Sequence, residues 1–219
     1  MDAGHDHAGH EAHGASLNRT AATATLHCLT GCAIGEVLGM VIGTALGLGN
    51  AATIALAVVL AFVFGYSLTM LPLLRAGLAL GVALPLAFAS DSFSIAVMEL
   101  VDNAIMLSVP GAMDATLRSP LFWGALAVSL AVAYVFAFPL NRYLIARGQG
   151  HAVVHAYHGH GGGEPPALGS RRRIVLLGVG AMAVTVAAAT IGALLVESRS
   201  SEEHEGVAPR SLTSSSAEA

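Results

Sequence analysis

Hydrophobic residues in this sequence are grouped in long blocks, and polar residues are concentrated between the blocks and at the two ends. The blocks cover residues 25–48, 53–74, 89–109, 121–144 and 174–196. Each is close to the roughly 20 residues that a helix needs to cross about 30 Å of hydrocarbon. Because backbone groups inside lipid must be hydrogen-bonded within their own segment, such blocks form helices. The pattern predicts an all-α integral membrane protein, with a four-helix transmembrane core and a fifth, C-terminal transmembrane helix.

The segments between the blocks predict how the chain is divided. Residues 49–52 form a short turn, so the first two spans should make an antiparallel hairpin. Residues 76–88 are apolar but too short to cross and contain Pro85, so we predict an interfacial or re-entrant helix before the third span. The predicted division is a His-rich disordered tail at 1–22, the four-helix membrane core at 23–147, a Gly-, His- and Pro-rich linker at 148–172, an accessory transmembrane helix at 173–197 and a disordered acidic tail at 198–219.

Composition and charge agree with a membrane protein and limit its partners. Of the 219 residues, 55% are hydrophobic and 11% are charged, which leaves little material for a soluble domain. All 10 basic residues are arginine and form no long run, so nucleic acid is not a predicted partner. With the N-terminus in the cytoplasm, the inner side carries Arg19, Arg75, Arg142, Arg147 and Arg171–Arg173, and the outer side carries Arg118, Arg199 and Arg210. This asymmetry predicts a multi-pass protein in the lipid bilayer with a cytoplasmic N-terminus.

The first span combines small residues with unusual polar ones. Glycine recurs at every fourth position from Gly31 to Gly47, which forms a stripe that allows another helix to approach closely. At about 100° per residue, Cys28, Cys32 and Glu36 lie within one third of the helix circumference. Two thiols and a carboxyl group are therefore expected to face the protein interior together.

The third span carries three acids on one face. Asp91, Glu99 and Asp102 fall within an arc of about 100°, together with Met98. A carboxylate near the middle of the bilayer costs roughly 3 kcal/mol, and no predicted span has a lysine or arginine in its middle. The acids therefore need a proton, a hydrogen-bonding partner such as His27 or an external cation.

These residue types favour a transition metal as the ligand. Soft thiolate and thioether groups select copper(I), whereas imidazole and carboxylate groups also accept zinc, nickel or iron. The predicted metal ligands are Cys28, Cys32, Glu36, Met98, Glu99 and Asp102, with His27, Asp91 and Asn103 in secondary positions. Further loose metal binding is expected at His5, His7, His10 and His13 and at His151, His155, His158 and His160. The leading hypothesis is copper or zinc binding or transport by a homo-oligomer, supplied by a metal-handling partner.

Two other functions remain open. A membrane thiol oxidoreductase would use Cys28 and Cys32, although their spacing departs from Cys-x-x-Cys and puts their Cα atoms about 6 Å apart, near the upper end of disulfide reach. A purely structural or assembly role would leave the acids protonated and hydrogen-bonded across helices. No hydrolase or nucleotide-binding motif is present, so a non-enzymatic role is favoured.

Several strings of this sequence resemble one known family. The strings are HCLTGCAIGEVLGM, DSFSIAVMELVDNAIM, SPLFWG and FPLNRYLIARGQGHAVVH, in this order, and the similarity covers residues 23–155. They resemble a bacterial membrane family catalogued as domain of unknown function 4396, which has no assigned activity. The resemblance implies a four-helix membrane core in a bacterial inner membrane. The matching residues include His27, Cys28, Cys32, Glu36, Asp91, Glu99, Asp102 and Asn103.

Overall fold

All regular secondary structure in the described part of the chain is α-helical. The computed structural model describes the backbone of residues 5–147 and 168–206, and the side chains of residues 16–147, 170–199 and 201. The helices are α1 (His5–Leu46), α2 (Asn50–Arg75), α3 (Leu80–Ser108), α4 (Pro120–Ala146) and α5 (Leu168–Gly206). Each of these five contains a stretch long and apolar enough to cross a membrane. The prediction of an all-α membrane protein is therefore confirmed.

The region before the third span differs from the sequence prediction. Helix α3 begins at Leu80 and continues through Pro85 without a break, so the predicted separate interfacial or re-entrant helix at 76–88 is wrong. Pro85 lies near the start of α3, where its missing N–H removes only one backbone hydrogen bond. The 29 residues of α3 measure about 43 Å, which exceeds the hydrocarbon thickness and is accommodated by tilt or by protruding ends.

The outer helices also extend beyond their predicted bounds. Helix α1 begins at His5, inside the tail predicted at 1–22, and α5 runs from Leu168 to Gly206, past the start of the tail predicted at 198. Once a membrane span has nucleated a helix, adding flanking residues costs little, and neither extension contains proline. Most of the predicted linker and the last 13 residues lie outside the described residues, as do the side chains of all eight histidines in the two His-rich segments.

The glycine stripe of α1 packs against α2 and closes this helix pair. A Cβ atom added at Gly31 would lie 2.7 Å from the Cα of Gly65, and one at Gly39 would lie 2.5 Å from the Cβ of Ala57. Gly35 and Gly43 meet α2 in the same way, opposite Ala61 and Thr53. The predicted close approach thus forms within the chain, between the two helices of the first hairpin.

The remaining helices pack around this hairpin. Helix α3 contacts every other helix, α4 packs against α1 and α3, and α5 packs against α2 and α3. Gly178 faces Phe88 and Gly192 faces Leu107, so α5 runs parallel to α3. The core between the helices contains Ile54, Phe62, Ile95 and Met98, together with small residues. Helix α5 is the least buried of the five described spans and lies at the edge of the bundle.

The two ends of the bundle differ in charge. Short connections join α1 to α2, α2 to α3 and α3 to α4, so successive helices run in opposite directions. Arg142 near the end of α4 donates a 2.6 Å hydrogen bond to Asn18 near the start of the α1 span, which places these two ends together. The end with Asn18 carries Arg19, Arg75, Arg142, Arg147 and Arg171–Arg173, and the opposite end carries Asp114, Arg118, Glu197 and Arg199. Among the described side chains, no acid lies at the first end, which we call the arginine end.

Candidate intramembrane carboxyl and thiol site

The predicted polar faces of α1 and α3 meet inside the bundle. Cys28, Cys32 and Glu36 lie one helical turn apart on α1 and contact the acidic face of α3. The exposed fraction is 1% for Cys28, 2% for Cys32, 4% for Glu36, 0% for Asp91 and Met98, 1% for Glu99 and 3% for Asp102. The described structure therefore brings all six predicted metal ligands, and Asp91 with them, into one buried region.

Asp91 forms the part of this region nearest the arginine end. Its Oδ1 accepts a 2.6 Å hydrogen bond from the Ser90 hydroxyl, and the Cys28 sulfur lies 3.8 Å from the same oxygen. His27 on α1 and Thr69 on α2 are also close enough to interact with this carboxyl group. Three helices thus supply polar groups around one acid.

Cys32 occupies the middle of the region. Its sulfur lies 4.0 Å from the Met98 sulfur, and its thiol is beside the Glu99 carboxyl group. Cys28 and Cys32 are both free thiols and are directed to different partners on α3. The middle of the site therefore combines two sulfur atoms with a carboxyl group.

Three carboxyl groups gather in the part of the region farthest from the arginine end. Glu99 is close enough to interact electrostatically with both Glu36 and Asp102. Asp102 Oδ1 accepts a short hydrogen bond from the Ser129 hydroxyl on α4. Among the described residues, Glu36 Oε2, Glu99 Oε2 and Asp102 Oδ2 are buried and have no hydrogen-bonding partner, and no arginine side chain is buried. Each acid thus has one oxygen that the protein leaves unsatisfied.

The site extends along the bundle as a polar column. From Asp91 to Asp102, α3 rises by about 17 Å, which is roughly half of the hydrocarbon thickness. Beside the Asp91 end, Asn141 on α4 donates hydrogen bonds to Thr25 at 2.9 Å and to Ser94 at 3.0 Å. Polar groups from α1, α2, α3 and α4 therefore follow one another through the apolar core.

Several polar partners were not singled out from the sequence. Ser90 and Ser129 donate hydrogen bonds to Asp91 and Asp102, and Thr69 approaches Asp91 from α2. Ser94 accepts a hydrogen bond from Asn141 beside Cys28. Serine and threonine are common in membrane helices and usually bond to their own backbone, so their positions alone gave no distinguishing signal. The sequence gives the helical phase of these residues relative to acids on the same helix. It does not show which helices are neighbours.

The side chains are close together but do not form a finished coordination site. Within the described ranges, no three His, Cys, Asp or Glu side chains are arranged so that they could hold one metal ion. Asn103, predicted in a secondary position, donates its side-chain amide to the Glu99 backbone carbonyl at 2.9 Å and so serves its own helix. The site contains carboxyl oxygens without hydrogen-bonding partners beside sulfur atoms, but these groups are not arranged as a preformed metal coordination sphere.

Comparison with known proteins gives one match. A family model described as "Domain of unknown function (DUF4396)" matches residues 17–150, more than half of the chain. The matched region contains α2, α3, α4 and the membrane-crossing part of α1, and α5 lies beyond it. No curated protein and no solved structure matches the chain.

Proposed function

Because the chain belongs to the DUF4396 family, whose description assigns no activity, we propose its function from the buried site. The protein binds a transition-metal cation inside the membrane and exchanges it for protons at Glu36, Glu99 and Asp102. Copper and zinc are the metals that this donor set favours. We also propose that the protein lies in a bacterial inner membrane with its arginine end facing the cytoplasm, because arginine is concentrated at that end.

One observation carries this proposal: three neighbouring buried acids each keep an oxygen without a hydrogen-bonding partner. Each carboxylate near the middle of a bilayer costs roughly 3 kcal/mol if it stays uncompensated. The described core contains no buried arginine to neutralise the acids. His27 interacts with Asp91 rather than with these three acids. Protons and a cation are therefore the two remaining sources of positive charge, and a site that alternates between them is an exchanger.

The neighbouring sulfur atoms select the kind of cation. Cys32 and Met98 place a thiol and a thioether next to Glu99. Soft sulfur ligands favour copper and zinc over magnesium or calcium, which prefer oxygen ligands alone. Cys28 and Asp91, with His27 nearby, provide a second set of donors farther along the column. A cation released from the three acids thus has a further binding position in the direction of the arginine end.

Cation binding in this proposal requires side-chain rotation. The described carboxyl groups do not converge on one point, and Asp102 is held by Ser129. When protons leave, the acids turn towards the cation and the Asp102–Ser129 hydrogen bond is given up. Four short helices rarely enclose a transport pathway alone, so we also propose that the protein works as a homo-oligomer and receives its metal from a metal-handling partner.

The thiol oxidoreductase alternative has weaker support from the geometry. Both thiols are almost completely buried, and each is directed to a group on α3 rather than to the other thiol. A dithiol enzyme needs at least one sulfur that a substrate can reach. Metal exchange needs access for a single ion rather than for a thiol substrate, and in this proposal that ion moves along the polar column.

The direct test is elemental analysis of the full-length purified protein. All eight histidines of the two His-rich segments and His204 of the C-terminal tail are replaced by alanine, so that His27, beside the membrane site, is the remaining histidine. We expect stoichiometric copper or zinc in this parent, loss of the metal in Glu99→Gln and Asp102→Asn, and retention in the matched control Asp114→Asn, whose side chain is exposed. Metal addition in weak buffer should also release protons.

Two results would overturn the proposal. One is a parent protein that folds but takes up neither copper nor zinc at any tested concentration. The other is metal that persists in both Glu99→Gln and Asp102→Asn, which would place it away from the three acids.

A further inference from the structure

Helix α5 and helix α3 enclose an apolar groove on the outer side of the bundle. The groove has a volume of about 680 Å³ and begins on α5 at Ile174. Its exposed walls include Phe93 and Leu100 on α3 and Leu177 and Val184 on α5, with exposed fractions of 69%, 42%, 73% and 69%. Ser92 and Thr185 are the polar side chains in its lining. An elongated apolar ligand fits this surface.

The floor of the groove is fixed by close packing. Gly178 lies against the Phe88 ring so tightly that a methyl group there would overlap it. Phe88 in turn stacks on Tyr66, with ring centroids 4.2 Å apart, and the Tyr66 hydroxyl is 2.9 Å from the Ser92 hydroxyl. Helices α2 and α3 therefore hold α5 at a defined distance, and the groove is a built feature of the fold.

Two arginines stand at the end of the groove, on either side of it. The α5 residues that line the groove centre on one face. Helical spacing places Arg173 about 60° to one side of the centre of that face and Arg171 about 100° to the other side. Arg172 points to the opposite side of α5 by the same arithmetic. The mouth of the groove at the arginine end is thus flanked by two positively charged side chains.

The length of the groove matches one leaflet of a bilayer. From Ile174 to Thr185, α5 rises by about 17 Å, and one leaflet of hydrocarbon is about 15 Å thick. Arg173 directly precedes Ile174, so the charges lie at headgroup depth where the apolar lining begins. Apolar length and terminal positive charge together describe an acyl chain with an anionic headgroup.

We propose that the α3–α5 groove is a binding site for an anionic phospholipid. One acyl chain lies along the groove, and the phosphate contacts Arg171 and Arg173. Helix α3 lies inside the DUF4396 match and α5 lies outside it, so this site needs the C-terminal extension of the chain in addition to the matched core. It does not depend on the proposed metal exchange.

The test is native mass spectrometry of the full-length protein in detergent with added lipids. Phosphatidylglycerol and phosphatidylcholine with identical acyl chains are compared, so that only the headgroup differs. We expect a retained phosphatidylglycerol molecule and a clear preference over phosphatidylcholine. Arg171→Gln with Arg173→Gln should weaken phosphatidylglycerol binding about 30-fold. Arg147→Gln with Arg172→Gln removes the same charge from the same end and should leave the preference little changed.

A second pair of variants tests the apolar part of the site. A Cβ at Gly180 meets no atom within 4 Å, so phenylalanine there fills the groove without disturbing the helices. Gly124 on α4 is equally open and lies outside the groove lining. Gly180→Phe should abolish retention of the lipid, and Gly124→Phe should not.

Four outcomes would overturn the lipid site. The first is equal weakening of phosphatidylglycerol binding by both arginine pairs, and the second is unchanged binding in the Arg171 and Arg173 double variant. The third is displacement of the lipid by inorganic phosphate alone. The fourth is a Gly180→Phe variant that loses a protein dimer while keeping the lipid. The third outcome would indicate a free-anion site, and the fourth would indicate that a second copy of the chain covers the groove.

Discussion

The Asn141 side-chain amide on α4 donates a hydrogen bond of 2.9 Å to the Thr25 hydroxyl on α1. The same amide reaches Ser94 on α3, and all three side chains are buried. One polar group therefore joins three helices next to the column of acids. This contact ties the α4 side of the site to both α1 and α3.

Replacing Asn141 by alanine should destabilise the helix bundle. Removing two buried interhelical hydrogen bonds should lower the free energy of unfolding by about 1–2 kcal/mol. Unfolding of the purified protein in mixed micelles by added SDS measures the change. Asn18→Ala is the control, because its bond to Arg142 is exposed. Strict additivity between Asn141→Ala and Thr25→Val would contradict the direct contact.

Gly35→Ala should weaken the α1–α2 hairpin. The added methyl would overlap the backbone of Ala61 and lie 2.8 Å from the Leu60 carbonyl carbon, so the helices must separate. We expect a loss of about 1–3 kcal/mol, despite the gain in helix propensity. Gly124→Ala, where the methyl meets no atom within 4 Å, should instead stabilise the protein by about 0.5–1 kcal/mol. Thermal unfolding in detergent compares the two, and equal effects would argue against close packing at Gly35.

The two native thiols should resist modification in the folded protein. Cys28 and Cys32 are 1% and 2% exposed, so a water-soluble maleimide should label them only after SDS unfolding. The control is Thr116→Cys in a Cys28→Ser and Cys32→Ser background, since Thr116 is exposed in the α3–α4 connection. Labelling is followed by mass. Rapid labelling of the native thiols, or a reversible disulfide between them, would favour the oxidoreductase alternative.

Ser129→Ala should strengthen cation binding while reducing stability. In the proposed exchange, Asp102 gives up its hydrogen bond to Ser129, so removal of that bond removes a cost of about 1 kcal/mol and should raise metal affinity about fivefold. Competition with a metal-sensitive dye measures the affinity. Ser67→Ala is the control, because Ser67 is exposed and bonds to its own helix at Val63. Weaker binding in Ser129→Ala would show that the hydroxyl assists the bound state.

The sequence predicted those features that depend on a single helix. Helical periodicity placed Cys28 and Glu36 on one face of α1 and Glu99 on the acidic face of α3. Each of these residues is buried as expected. The glycine stripe was equally clear, since small residues at a fixed spacing predict close packing. What periodicity did not provide was the partner of the stripe, which is α2.

Features that depend on which helices are neighbours were not predictable in this way. Ser129 and Asn141 complete the site from α4, but their own helix contains nothing that distinguishes them from structural residues. The region before the third span was misinterpreted because Pro85 was taken to separate a short apolar helix from the span. Helix α3 instead starts at Leu80, so Pro85 lies within its first turns and causes no break. The position of α5 depends on Gly178 meeting Phe88, a pairing that involves two separate spans.

The tight α1–α2 hairpin affects how the chain enters the membrane during synthesis. Mean hydropathy is 1.7 for the α1 span and 1.6 for α3, which carry the acids, but 2.3 for α2 between them. Insertion machinery releases apolar segments to lipid readily and retains acidic ones. With connections of a few residues on each side, α2 is expected to carry α1 into the bilayer and to remain near the machinery until α3 arrives. Burial of the α3 acids against α1 would then occur as α3 is released, so that membrane insertion and assembly of the polar column are one step of biogenesis.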